Sequence, residues 1–136
     1  DMDYTKHKSI DLDKIEWIQY HKTGALISCC SHVASILLNA SNDQKSNLIN
    51  YANHIGSAFQ IADDLLDLDG NEVSMGKPVR QDMKNETPNF VTILGKQKAA
   101  KRALEESSKA INLIQKFKQE SENLVSLAKY TVNRNK

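Results

Sequence analysis

Cysteine is nearly missing: the 136 residues contain two, Cys29 and Cys30, and they are adjacent. Neighbouring residues bridge poorly and a pair builds no disulfide framework, which excludes a stapled secreted scaffold and points to a reducing compartment, the cytoplasm. Proline occurs twice and glycine five times, so long stretches run without a breaker. No apolar run approaches the roughly 20 residues needed to cross a bilayer, and the polar start DMDYTKHKSI lacks a signal-peptide pattern. An excess of one charge is missing too. Lys plus Arg number 18 against 17 Asp plus Glu, a formal charge of +1, so bulk electrostatics give no reason to expect a nucleic-acid partner. Neither a P-loop nor a Ser-His-Asp constellation can be assembled, and His7, His21, His32 and His54 form no metal-ligand pattern with the cysteines.

Present instead are runs of Ala, Leu, Lys, Glu and Gln, which favour helices, with no strand-period segment and no internal repeat. The length suits one core and one domain. After a polar segment over 1–10, Leu12, Ile15 and Trp17 to Ile18 give one side of a short helix that Asp11 or Asp13 can cap. Lys22-Thr23-Gly24 marks a helix junction, and Cys29, Cys30, Val33, Ile36 and Leu37 then recur at helical spacing until Asn39 to Asn42. Ser41-x-x-Gln44 has capping-box spacing and predicts the start of a central helix of about 27 residues, buried along Leu48, Ile49, Ala52, Ile55 and Phe59 and ended by Asp69-Gly70-Asn71. A loop over 72–86 carries Gly76, Lys77, Pro78, Arg80, Asp82 and Lys84. Phe90 to Leu94 reads as an apolar turn before Gly95, and Lys96 to Ser121 as a helix with Ala100, Ala103, Leu104, Ala110, Ile111, Ile114 and Phe117 inward. A last helix turns Leu124, Leu127, Ala128 and Thr131 or Val132 inward. Trp17 and Phe59 read as packing residues.

The organising stretch is GSAFQIADDLLDLDGNEVSMGKP, Gly56 to Pro78. At about 100° per residue, Gln60, Asp63, Asp64 and Asp67 share a sector of roughly 100°. Ile55, Ala58, Phe59, Ile61, Ala62, Leu65, Leu66 and Leu68 cover the rest, so a largely buried helix carries one acidic window. Two carboxylates about 5 Å apart repel by roughly 1 kcal/mol in water and about 3 kcal/mol at an effective dielectric of 20. A divalent cation turns that repulsion into ligation, and hard oxygen donors along one wall suit Mg²⁺ held jointly by carboxylates and substrate phosphates. A solvated acidic face is the bland alternative. An EF-hand loop starting at Asp67 fails, because Gly70 stands at its fourth position and Pro78 at its twelfth.

Phe59-Gln60-Ile61-Ala62-Asp63-Asp64-Leu65-Leu66-Asp67, followed by Gly76-Lys77-Pro78 and Asp82, resembles the second aspartate-rich region of trans-type polyprenyl diphosphate synthases. Lys22-Thr23-Gly24-Ala25-Leu26 resembles their Lys-Thr segment, and Leu127-Ala128-Lys129-Tyr130 to Asn135-Lys136 the ending of bacterial farnesyl diphosphate synthases. The resemblance implies an all-α isoprenoid synthase fold, of which residues 1–136 are the C-terminal part of a single domain. That the chain starts on Asp1 agrees with an origin inside a longer protein. It further implies Mg²⁺-dependent ionisation of an allylic diphosphate, attack by isopentenyl diphosphate, and proton loss to a product longer by five carbons.

In that scheme Asp63, Asp64 and Asp67 hold metal, Lys22 and Lys77 hold the diphosphate, and Thr23 with Gln60 face the carbon where positive charge develops. A cytoplasmic homodimer is implied as well. The first aspartate-rich motif and the isopentenyl diphosphate site belong to the missing N-terminal half, so this chain alone is expected to be inactive and to expose an apolar flank. One departure stands out: Thr87 occupies the position of a second loop lysine, and Lys84 comes too early to replace it. A non-catalytic helical subunit that keeps the scaffold is the competing expectation.

Overall fold

The computed structural model describes residues 11–75 and 88–134, with side chains for all of these except 70–75. The readings on residues 1–10, on Lys77, Arg80, Asp82, Lys84 and Thr87, and on the last two residues lie outside that range. Among the described residues every regular element is helical, and the all-α expectation holds. In order they are α1 (Leu12–Gln19), a π-helical turn (Tyr20–Gly24), α2 (Ala25–Leu37), α3 (Asn42–Met75), α4 (Phe90–Leu94), α5 (Lys96–Ile114), a 3₁₀ segment (Gln115–Ser121) and α6 (Glu122–Asn133).

Side-chain caps set the starts of α1, α3 and α4. Asp11 caps α1 by accepting the Lys14 N–H at 3.0 Å. At α3 the capping box forms as the spacing predicts: Gln44 N–H donates to Ser41 Oγ at 3.3 Å and Ser41 N–H to Gln44 Oε1 at 2.9 Å. A second box, Asn89 with Thr92, opens α4. Gly95, at φ 80°, joins α4 to α5 in a conformation that side chains rarely adopt.

Helix α3 is the axis, and α5 packs along it most extensively. Near the acidic window Ile61 meets Ala99, Ala103, Phe90, Val91 and Ile15; at the other end Tyr51 and Ile55 meet Ala110, Ile114 and Ala128. The pairing of low with high numbers makes α3 and α5 antiparallel. α6 runs back beside both, Tyr51 Oη donating to Leu124 O at 2.8 Å and Ser107 Oγ to Ala128 O at 2.8 Å. Burial of a side chain such as Ile61 or Phe90 contributes about 1.5–3 kcal/mol.

Several expectations are corrected. Helix α3 passes through Asp69, Gly70 and Asn71 and ends at Met75, so residues 72–75 belong to the helix rather than the loop. One interior glycine costs a helix only about 1 kcal/mol, and Leu68 packs on the core while Asp69 pairs with Lys96. The segment from Lys96 is two elements: α5 stops at Ile114, and Lys118, at φ 55° and ψ −131°, reverses the chain, with Ser121 Oγ donating to Lys118 O at 2.7 Å. Its buried stripe is Ala99, Ala103, Glu106, Ser107, Ala110 and Ile114, while Leu104 is exposed. Trp17 is exposed rather than packed, as is Leu127 of α6. In α2 the side chains turned inward are Ser28 and Ser35, while Leu26, Val33, Ile36 and Leu37 face out.

Candidate functional site

Two glycines position the site. A Cβ on Gly56 would stand 3.2 Å from Gly24 Cα, so the missing side chain at Gly56 lets the turn before α2 lie this close to α3, while a Cβ on Gly24 would meet the Tyr20 ring at 3.1 Å. The turn is π-helical: the Ala25 N–H bonds to Tyr20 O, five residues back. Such insertions widen a helix locally and recur where a side chain must be re-aimed. Lys22 and Thr23 sit on this turn, Lys22 exposed and Thr23 half-buried. One helical turn after Gly56 comes Gln60, which is buried. Gly24, Gly56 and Gln60 line one cleft of about 170 Å³, together with Glu16, Gln19, Tyr20, Asn53, Ser57, Phe90 and Arg102. Within it the buried Gln19 Oε1 and Asn53 Oδ1 have no hydrogen-bond partner among the described residues.

None of the three aspartates lines this cleft. Asp63 and Asp67 are exposed and Asp64 is half-buried. Asp64 Oδ2 accepts the Phe90 N–H at 3.0 Å, tying α4 to α3. Burial pushes its carboxyl up from 3.8 to about 6, and the charges of Asp63 and Asp67 push the same way; the Phe90 N–H and the Lys22 ammonium pull it down. The Lys22 charge is the weakest of these influences on Asp64.

Arg134 was not singled out by the sequence. It folds back from the end of α6, its Nη2 donating to Asp63 Oδ1 at 2.8 Å while the guanidinium lies 4.2 Å from the centre of the Phe59 ring. Nothing in the pattern around Arg134 announces this, because the partners are 71 positions apart. Among the described residues, no group of three or more His, Cys, Asp or Glu converges to enclose a metal by itself. The donors are all hard carboxylate oxygens on one helix face, which fits an ion that keeps waters and shares its remaining positions with a phosphate ligand. Lys77 lies outside the described residues.

Among the described residues no helix is long and apolar enough to cross a membrane. The model of the polyprenyl synthetase family matches residues 1–130. The chain is 31% identical to the farnesyl diphosphate synthase of Micrococcus luteus over 96% of its own length and 45% of that enzyme. It is 32% identical to a dimethylallyltranstransferase of Fischerella ambigua over 98% of itself and 39% of that protein. The crystal structure of an FPP/GFPP synthase from Zymomonas mobilis superimposes with a TM-score of 0.79 at 33% identity, covering 93% of this chain and 40% of that one. The chain thus spans less than half the length of these relatives, and it belongs to the polyprenyl synthetase family.

Proposed function

We propose that this chain is the C-terminal part of a single prenyl synthase domain, and that the longer protein condenses an allylic diphosphate, dimethylallyl or geranyl, with isopentenyl diphosphate. The observation that carries the reading is the approach of two helices at Gly24 and Gly56. It brings the π turn that carries Lys22 and Thr23 against α3, and in this reading the two residues face Gln60, Asp63, Asp64 and Asp67 across a shared site.

In this reading Lys22 and Lys77 bind the allylic diphosphate as cations and hold it where its C–O bond lies near Thr23 and Gln60. The bond breaks with its electron pair leaving on the diphosphate, whose growing charge the lysines stabilise. The oxygens of Thr23 and Gln60 aim the negative ends of their dipoles at the allylic carbon as it becomes positive, and Gln60, buried, needs no reorganisation to do so. The double bond of isopentenyl diphosphate then supplies the electrons of the new C–C bond, and loss of a proton restores neutrality. Asp63, Asp64 and Asp67 would hold Mg²⁺, which when bound supplies charge neutralisation for the leaving group. Asp64 must lose its proton to take part, and Lys22 favours that loss.

The exposed Leu26, Val33, Ile36, Leu37 and Leu38 of α2 and its end supply the apolar flank on which the N-terminal half would sit. Without it these residues lack the other substrate's site, so the isolated chain is inactive in this reading. The same reading includes a cytoplasmic homodimer. The test is prenyl transfer by the longer polypeptide, with Lys22→Ala and Asp63→Ala beside wild type. Five-carbon extension that falls at least about a hundredfold in both variants is the expected result; a folded longer protein with no turnover supports a non-catalytic subunit instead, and wild-type turnover in both variants removes Lys22 and Asp63 from the site.

A further inference from the structure

Helix α1 leads without interruption into the π turn, yet among the described residues its single buried side chain is Ile15. With half-buried Leu12 packed on the same core, apolar contacts hold this short helix along one side only, and rocking about that side would swing Lys22 and Thr23. The next residue, Glu16, supplies the second fixing point. Arg102 Nη2 of α5 donates to Glu16 Oε1 at 3.2 Å, and Arg102 Nε donates to Glu106 Oε1 at 3.1 Å. Glu106, its side chain only 5% exposed, also accepts from Lys109 Nζ at 2.8 Å and from His54 Nδ1 of α3 at 2.6 Å.

One planar guanidinium thus joins two carboxylates, and through them α5 is fastened to the helix before the Lys22 turn and to the helix that bears Gln60. A lysine has no fork with which to make both bonds. Glu16 and Arg102 also stand in the wall of the cleft that Gly24 and Gln60 line. A buried carboxylate with three partners is a weak source of net stability, since desolvation offsets much of the attraction, but it defines one geometry sharply.

We propose that Glu16, Arg102, Glu106 and His54 form a positioning relay that holds the Lys22–Thr23 turn in register with the Gln60 face of α3. The relay rests on the proposed function for its purpose, and its members act by holding the turn in place. Hydrogen exchange followed by mass spectrometry on this chain tests it without requiring turnover. Glu16→Ala leaves the buried Glu106 with all its partners, so the fold stands. Amides over 12–24 should then exchange about threefold faster, the scale of losing one half-exposed pair, while those of α6 are unchanged.

Arg102→Lys should behave likewise, and Arg102→Met more strongly. In the longer polypeptide Glu16→Ala should lower kcat about tenfold, as expected for misplaced reacting groups, with KM for isopentenyl diphosphate unchanged. Unaltered exchange over 12–24 in Glu16→Ala overturns the relay, and so does faster exchange with wild-type kcat. If the wild-type longer protein shows no turnover, the proposed function fails and the exchange result alone decides whether the turn is held this way.

Discussion

Replacing Asp64 by asparagine in the metal-free chain removes a charge that burial disfavours and keeps an oxygen able to accept the Phe90 N–H. The carboxyl is raised from 3.8 to about 6, chiefly by burial, then by Asp63 and Asp67. At about 1.4 kcal/mol per unit the difference sets a ceiling of about 3 kcal/mol. Asp64 is only half-buried, so solvent screening reduces this to about 1 kcal/mol. The sign follows from linkage. A raised carboxyl binds its proton more tightly in the folded state, so its cost is absent well below 3.8, grows between 3.8 and about 6, and is complete above that.

In EDTA at pH 7.5, Asp64→Asn should therefore be more stable than wild type by about 1 kcal/mol, shrinking to about a third of that at pH 4.5. Urea denaturation at the two pH values, with the m-value unchanged, measures it. With Mg²⁺ and pyrophosphate present the order should reverse, because the wild type gains binding free energy that the variant lacks. A variant less stable than wild type at pH 7.5 in EDTA, or a gap that does not change with pH, would refute the reasoning.

Gly56→Ala puts a methyl group 3.2 Å from Gly24 Cα; the helix-propensity gain of about 1 kcal/mol is outweighed by backbone displacement, leaving a net loss of about 1 kcal/mol in thermal or urea unfolding. Tyr51 has its hydroxyl pushed up to about 12 by burial and donates to Leu124 O at 2.8 Å, so Tyr51→Phe should cost about 1–2 kcal/mol of unfolding free energy. Arg134→Gln frees Asp63 of its guanidinium partner at 2.8 Å; Mg²⁺ affinity in the presence of pyrophosphate should rise about three- to tenfold by calorimetry, the range expected for removing one charge competitor.

Helix starts were legible because caps are local: Asp11 with Lys14 and Ser41 with Gln44 each lie within one turn of sequence. Ends were less so. Asp69-Gly70-Asn71 looks like a stop, but the packing of Leu68 and the pairing of Asp69 with Lys96 involve residues far along the chain. Glu106 is buried because His54, Arg102 and Lys109 surround it, which no local spacing announces, and the helical spacing in α2 does not show that its large side chains face outward. At the site the shared face of Gln60 and the three aspartates was readable from helical period alone. The π turn, the Gly24–Gly56 approach, Asp64's hold on Phe90 and Arg134's place on Asp63 depend on tertiary contacts that no local spacing encodes.

The account stands on the acidic face of α3 acting as a metal and diphosphate seat beside Lys22. Isothermal titration of this chain with Mg²⁺ and pyrophosphate together, for wild type, Asp63→Ala and Asp67→Ala, measures that directly. Weak binding to the wild type, lost in both variants with the fold retained, is the predicted result; equal heats from all three proteins would contradict it.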